Sequence, residues 1–209
     1  WRKDLRNEML FSGALIGIMS VATAYYWWTI DWWHPATITG TRIGIEDFII
    51  GFFSGGIMAV AYAVILRRRL YKVKAKPVHV GGLALLLLLG CLTSWLFWGV
   101  GITSFYSSTI AMSIAACALF WDRRDLIVDG LVSGALMVLI SISFYTTIAY
   151  ISPDWFQQSY HWQALSGVLI GGVPIEEFVF WFLAGVLFGP FYEYVKSDGV
   201  RHFARRSTK

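Results

Sequence analysis

Six apolar runs of about 20 residues each limit what this chain can fold into; they lie at about 10–29, 45–66, 80–101, 105–121, 131–151 and 172–195. A hydrocarbon core roughly 30 Å thick is crossed by about 20 helical residues. Lipid offers the backbone no hydrogen bonds, so such runs must be helices or the strands of a closed barrel. Barrel strands would alternate in polarity over about 10 residues, and these runs do not. Because 57% of the 209 residues are apolar and only 14% charged, a soluble core is the wrong frame. The expected fold class is all-α, a polytopic membrane bundle of about six helices.

The position of the charges says more than their net value of +4. Arg2, Lys3 and Arg6 precede the first run, and Arg67, Arg68, Arg69, Lys72, Lys74 and Lys76 follow the second. Arg123 and Arg124 separate the fourth from the fifth, while Lys196, Arg201, Arg205, Arg206 and Lys209 follow the sixth. The other connections carry almost no Lys or Arg, Arg42 excepted. By the positive-inside rule both termini and the basic loops face the cytoplasm, and the protein sits in the cell membrane. The basic residues are read as topology determinants beside anionic lipid; nucleic acid is not an expected partner. Cys91 and Cys117 lie inside apolar runs with no ligand spacing and read as small apolar residues.

An internal repeat organises the chain. Arg2-Lys3-Asp4-Leu5 and Ser12-Gly13-Ala14-Leu15 return 121 positions later as Arg123-Arg124-Asp125-Leu126 and Ser133-Gly134-Ala135-Leu136. Ile45-Glu46-Asp47-Phe48 returns 130 positions later as Ile175-Glu176-Glu177-Phe178, as do Trp32 as Trp162 and Gly55 as Gly185. The second copy thus has a loop nine residues longer. Four helices separate the copies, so they run parallel. The expected units are residues 1–76, a linker helix within 77–104, and 105–209. By symmetry a further helix is expected before the first, and the opening on Trp1 without methionine fits a three, one, three parent.

Each copy sets two adjacent carboxyls at a helix start, Glu46/Asp47 and Glu176/Glu177. Acidic residues in a first helical turn are favoured by the macrodipole, and Pro174 suits a helix start, so capping alone could explain one pair. A matched pair in both copies, each followed by an apolar stretch, favours function, because membrane carboxylates are rare. Two adjacent carboxyls at the rim of an apolar cavity can share a proton, giving a general acid beside a conjugate base. Phe180 and Trp181 share a helical face with these acids, and aromatic faces stabilise cations. Acid and π-faces together suit protonation of an alkene and passage through a carbocation. The tryptophans Trp27, Trp28, Trp32, Trp33, Trp155 and Trp162 could equally form an interfacial belt.

Other features carry less. His34 and His161 lie in outer loops, and Gly51/Gly55 and Gly185/Gly189 have the small-xxx-small spacing of close helix packing. There is no glycine-rich nucleotide loop, no clustered metal ligand set and no Ser/His/Asp pattern, so no cofactor is expected.

With these residues in view, the chain resembles the small membrane lycopene cyclases, found as heterodimeric subunits in bacteria and as fused tandem forms in archaea and fungi. The resemblance rests on Trp28-Thr29, Trp33-His34-Pro35, Thr39-Gly40 and Gly44-Ile45-Glu46-Asp47-Phe48, then on Trp162, Gly167 and Pro174-Ile175-Glu176-Glu177-Phe178. The first acidic motif departs from the family's Pro-x-Glu-Glu/Asp pattern in having Gly44, and His34 stands where asparagine is expected. More catalytic weight therefore falls on Glu176 and Glu177. The resemblance implies cyclisation of the ψ end of lycopene, or a related linear carotenoid, to a β-ionone ring by cofactor-independent isomerisation. One carboxyl of Glu176/Glu177 would protonate the alkene, and its ionised neighbour would remove the ring proton. Glu46/Asp47 would be the equivalent pair, and Phe180, Trp181, Phe178, Phe48, Trp32 and Trp162 would line the substrate site. A related carotenoid hydratase and a proton-coupled carrier remain the alternatives, although carrier sites favour broken helices near the midplane. Oligomeric state is not legible.

Overall fold

The computed structural model describes residues 2–66, 68–72, 80–196 and 198–202. Arg67, Lys74, Lys76, Arg205, Arg206 and Lys209 of the basic segments lie outside the described residues, as does Trp1. Six helical segments of 19 to 29 residues are long and apolar enough to cross a membrane. Large apolar side chains such as Ile18, Phe53, Leu83, Leu87 and Leu139 point outward, as a lipid-facing surface requires. The protein is an all-α membrane bundle.

Helix α1 is Arg6–Thr23, α2 Ile45–Ile65, α3 Val80–Ser94, α4 Ser104–Asp122, α5 Ile127–Ile151, α6 Ile175–Phe188 and α7 Phe191–Lys196. Three segments differ from the sequence expectation. A tighter turn, Lys3–Leu5, leads into α1, and a matching one, Arg124–Leu126, leads into α5, so both helices start earlier than expected. The sixth segment starts at Ile175 rather than near 172, because a two-residue ladder, Leu169–Ile170 with Val173–Pro174, precedes it. That segment also breaks at Gly189-Pro190. Proline supplies no N–H to a helix interior.

The turns into α1 and α5 carry matching ion pairs. Arg2 Nη2 meets Asp4 Oδ2 at 2.8 Å, and Arg123 Nη2 meets Asp125 Oδ2 at 2.7 Å. Two helix pairs then form by close backbone approach, α1 along α2 and α5 along α6. A Cβ on Gly51 would stand 2.6 Å from Ser20 Cβ, and one on Gly185 would stand 2.7 Å from Gly134 Cα. Only glycine permits either contact. Helix α3 packs on α4, and α4 on α6, closing the bundle around a core that includes Met58, Leu89, Met112, Leu119 and Leu187. At the end carrying the chain termini, backbone 68–72 pairs antiparallel with 198–202.

At the opposite, distal end, α1 passes into a π-helical turn, Ala24–Trp28, before a last short helical turn, Thr29–Asp31. The Thr29 hydroxyl donates to the Ala24 carbonyl five residues back, at 2.7 Å. A π-turn inserts one residue into the helical repeat and so rotates the side chains that follow it. Asp31 then accepts from the Ser104 N–H at 3.0 Å, which caps the start of α4. The two distal loops join where His161 N–H donates to the Trp32 carbonyl at 2.9 Å and Trp33 pairs with Tyr160.

Candidate active site

The two acidic pairs occupy matching places at the starts of α2 and α6, but only their first members are held alike. Glu46 Oε1 accepts from the Ile38 N–H at 2.6 Å, and Glu176 Oε1 accepts from the Ser166 N–H at 2.6 Å. Both first carboxyls therefore tie a distal loop down onto a helix start. Glu176 is buried, at 2% exposure, and its Oε2 has no hydrogen-bond partner.

The second members diverge. Asp47 Oδ2 accepts from the Gly44 N–H at 2.9 Å, folding back over the helix start as a cap. At the equivalent place α6 has Pro174, which carries no N–H and cannot make that bond. Glu177 extends inward instead and accepts a hydrogen bond at Oε2 from the hydroxyl of Tyr145 on α5. The Tyr145 oxygen in turn accepts from Trp181 Nε1 at 3.1 Å. Gly171 and Gly172, both at positive φ (60° and 84°), make the tight turn that delivers Pro174 to the helix start.

Glu177 lies on the wall of an apolar cavity of ≈ 230 Å³ enclosed by α1, α2, α3, α4 and α6. Among the described residues lining it, Glu177 is the one ionisable group. Trp28, Trp32, Phe180 and Trp181 line the same wall. The Phe180 ring stands edge-on to Trp28 at 5.2 Å and to Trp32 at 5.1 Å, and Trp181 is 5.5 Å from Phe180. Trp28 Nε1 is pinned to the Ser108 hydroxyl at 3.2 Å. The result is a carboxyl facing a space walled by π-systems and aliphatic side chains, with Ile16, Met58 and Leu89 deeper in.

Three of the expected substrate-site residues, Trp32, Phe180 and Trp181, thus meet Glu177 at one cavity. Glu176, Glu46 and Asp47 do not line it. Phe178, one position round the helix from Glu177, packs into the distal aromatic cluster, and Trp162 borders Tyr160 at 6.3 Å. Phe48 stacks on Phe52 at 6.0 Å beside Gly17. His34 and His161 are exposed. Trp27, Trp28 and Trp33 belong to the cavity rather than solely to a membrane belt, because the π-turn rotates them inward.

Tyr145 and Tyr160 carry no local motif; packing brings one from α5 and the other from the distal loop beside Glu177. Burial pushes the Tyr160 phenol well above its ordinary value, and the charge of Glu177 pushes the same way, so the hydroxyl remains protonated. A second group of buried acids, Glu8, Asp129 and Glu193, sits toward the terminal end. Glu8 and Asp129 are themselves 121 positions apart, a signal within the repeat that the acidic-pair reading passed over. Among the described residues no cluster of His, Cys, Asp and Glu could hold a metal.

No curated protein and no solved structure matches the chain significantly. The segment that supplies Tyr145, Glu176, Glu177 and Trp181 does match a known family, described as lycopene cyclase, over residues 103–195. That match spans 93 of the 209 residues and makes this segment similar to the lycopene cyclase family.

Proposed function

We propose that the protein closes a β-ionone ring on the ψ end of lycopene, as an isomerase that uses no cofactor, with Glu177 as its acid. The observation that carries this reading is the single carboxyl on the wall of an otherwise apolar, aromatic-rich cavity. The terminal alkene takes a proton from Glu177, and its π-pair forms the new C–H bond. The adjacent carbon becomes cationic and is attacked by the next double bond, which closes the ring. The resulting tertiary cation loses a ring proton to the Glu177 carboxylate, so the net change is isomerisation. Phe180, Trp181, Trp28 and Trp32 offer π-faces to the passing cation. A wall that is mostly hydrocarbon, with few hydroxyl groups such as Ser54 and Thr93, disfavours water and so favours ring closure over hydration.

Glu176 ties the Ser166 loop and has no place on the cavity wall, which supports Glu177 acting as both acid and base. The hydrocarbon substrate enters from the bilayer. The distribution of Lys and Arg supports cytoplasmic termini and therefore an active site near the outer leaflet. Expression in a lycopene-accumulating host, with chromatography of the pigments, tests the reading. Ring-closed products are expected; unchanged lycopene or a hydrated product would overturn it.

A further inference from the structure

Trp181 Nε1 bears a hydrogen and no lone pair, so at 3.1 Å from the Tyr145 oxygen it can only donate. The Tyr145 hydrogen is thereby directed away from Trp181, and Oε2 of Glu177 accepts it, with the Tyr160 hydroxyl beside both groups. Tyr145 is 6% exposed and does not line the cavity, so it cannot touch a substrate there. Its helix, α5, is locked to α6 by the Gly134–Gly185 approach, which fixes the spacing between phenol and carboxyl.

From this geometry we infer that Tyr145 is a positioning residue: it fixes which oxygen of Glu177 holds the transferable proton and stabilises the carboxylate left behind. The inference rests on the cyclase reading above. In the neutral acid, Oε2 accepts from Tyr145 and is the carbonyl oxygen, so the O–H sits on Oε1. When that O–H bond breaks, its electron pair stays on the carboxylate, and the proton joins the alkene carbon through the alkene's own π-pair. Negative charge then spreads over both oxygens, and the Tyr145 bond becomes one to a charged acceptor, which is the stronger kind. An interaction that strengthens as charge develops lowers the barrier, whereas one of constant strength does not. The returning ring proton restores the acid, and the phenol keeps its own hydrogen throughout.

The test uses the purified protein in liposomes containing lycopene. Tyr145→Phe is expected to lower kcat about 100-fold, the loss typical of one removed donor, with KM within about 2-fold. In a Glu177→Asp background, which keeps an acid and residual turnover but withdraws it from Tyr145, the same substitution should produce no further loss, because the two groups act as one unit. Unchanged kcat in Tyr145→Phe, or a loss that repeats in full on Glu177→Asp, would overturn the inference while an active parent left the cyclase reading standing. An inactive parent would remove both. If Tyr145→Phe does not fold, Trp181→Phe keeps a π-face on the cavity and removes the donor that orients Tyr145. It should lower kcat about 10-fold, and unchanged kcat there would overturn the inference too.

Discussion

The carboxylate pairs of α2 and α6 share a sequence pattern and a position, yet one ends in a cap and the other faces a cavity. In α2, Asp47 folds back to the Gly44 N–H, and Glu46 lies across the bare Cα of Gly44, where a Cβ would collide with its Oε2. In α6, Pro174 withholds the N–H, and the longer Glu177 reaches Tyr145. One missing backbone hydrogen and one extra methylene thus separate a helix-start carboxylate from a candidate acid. A repeated motif shares geometry without sharing chemistry, because the orphan donors of a helix start compete for any acceptor within reach.

Substitutions at the two helix starts probe this difference. The largest effect is expected from Glu177→Asp, which keeps the acid but withdraws it from Tyr145 and the cavity. A displacement of about 1 Å should lower the conversion rate about 100-fold, read from timed pigment extracts. Pro174→Gly restores the N–H to α6 and gives Glu177 the capping choice that Asp47 takes. A fall of about 10-fold in ring formation is expected, as the carboxyl divides its time between cap and cavity. Glu176→Gln should be milder, within about 3-fold, since the amide oxygen still accepts from the Ser166 N–H. Loss of activity in that variant would restore Glu176 as the base. The smallest change belongs to Asp47→Asn, expected to cost about 0.3–1 kcal/mol of stability by weakening the charge at the helix start, measured by thermal unfolding in detergent.

Much of the architecture was legible from the lengths of the apolar runs, because the bilayer permits so few solutions. The repeat offsets located both acidic pairs, and helical spacing set Phe180 four positions from Glu176 and Trp181 four from Glu177; both rings line the cavity beside Glu177. What separates Glu177 from Asp47 was only half visible. The sequence marks Gly44 against Pro174, but the deciding partner, Tyr145, lies 32 residues before Glu177 on another helix. The tryptophans of the first distal loop could not be sorted between membrane belt and cavity, since the π-turn at Ala24–Trp28 shifts the facing of every later side chain. Phe178, expected at the substrate site, packs into the distal aromatic cluster and does not line the cavity, because one residue along a helix turns the side chain by about 100°. The break at Gly189-Pro190 did have a signal, a proline inside an apolar run, outweighed by the length of the run.

The central claim is that Glu177, and not its counterpart Asp47, delivers the proton. Pigment chromatography of a lycopene-accumulating host carrying Glu177→Gln, beside one carrying Asp47→Asn at equal protein level in the membrane, tests it most directly. Acyclic lycopene should accumulate with Glu177→Gln while Asp47→Asn continues to form rings. Ring formation that survives Glu177→Gln and fails with Asp47→Asn would contradict it.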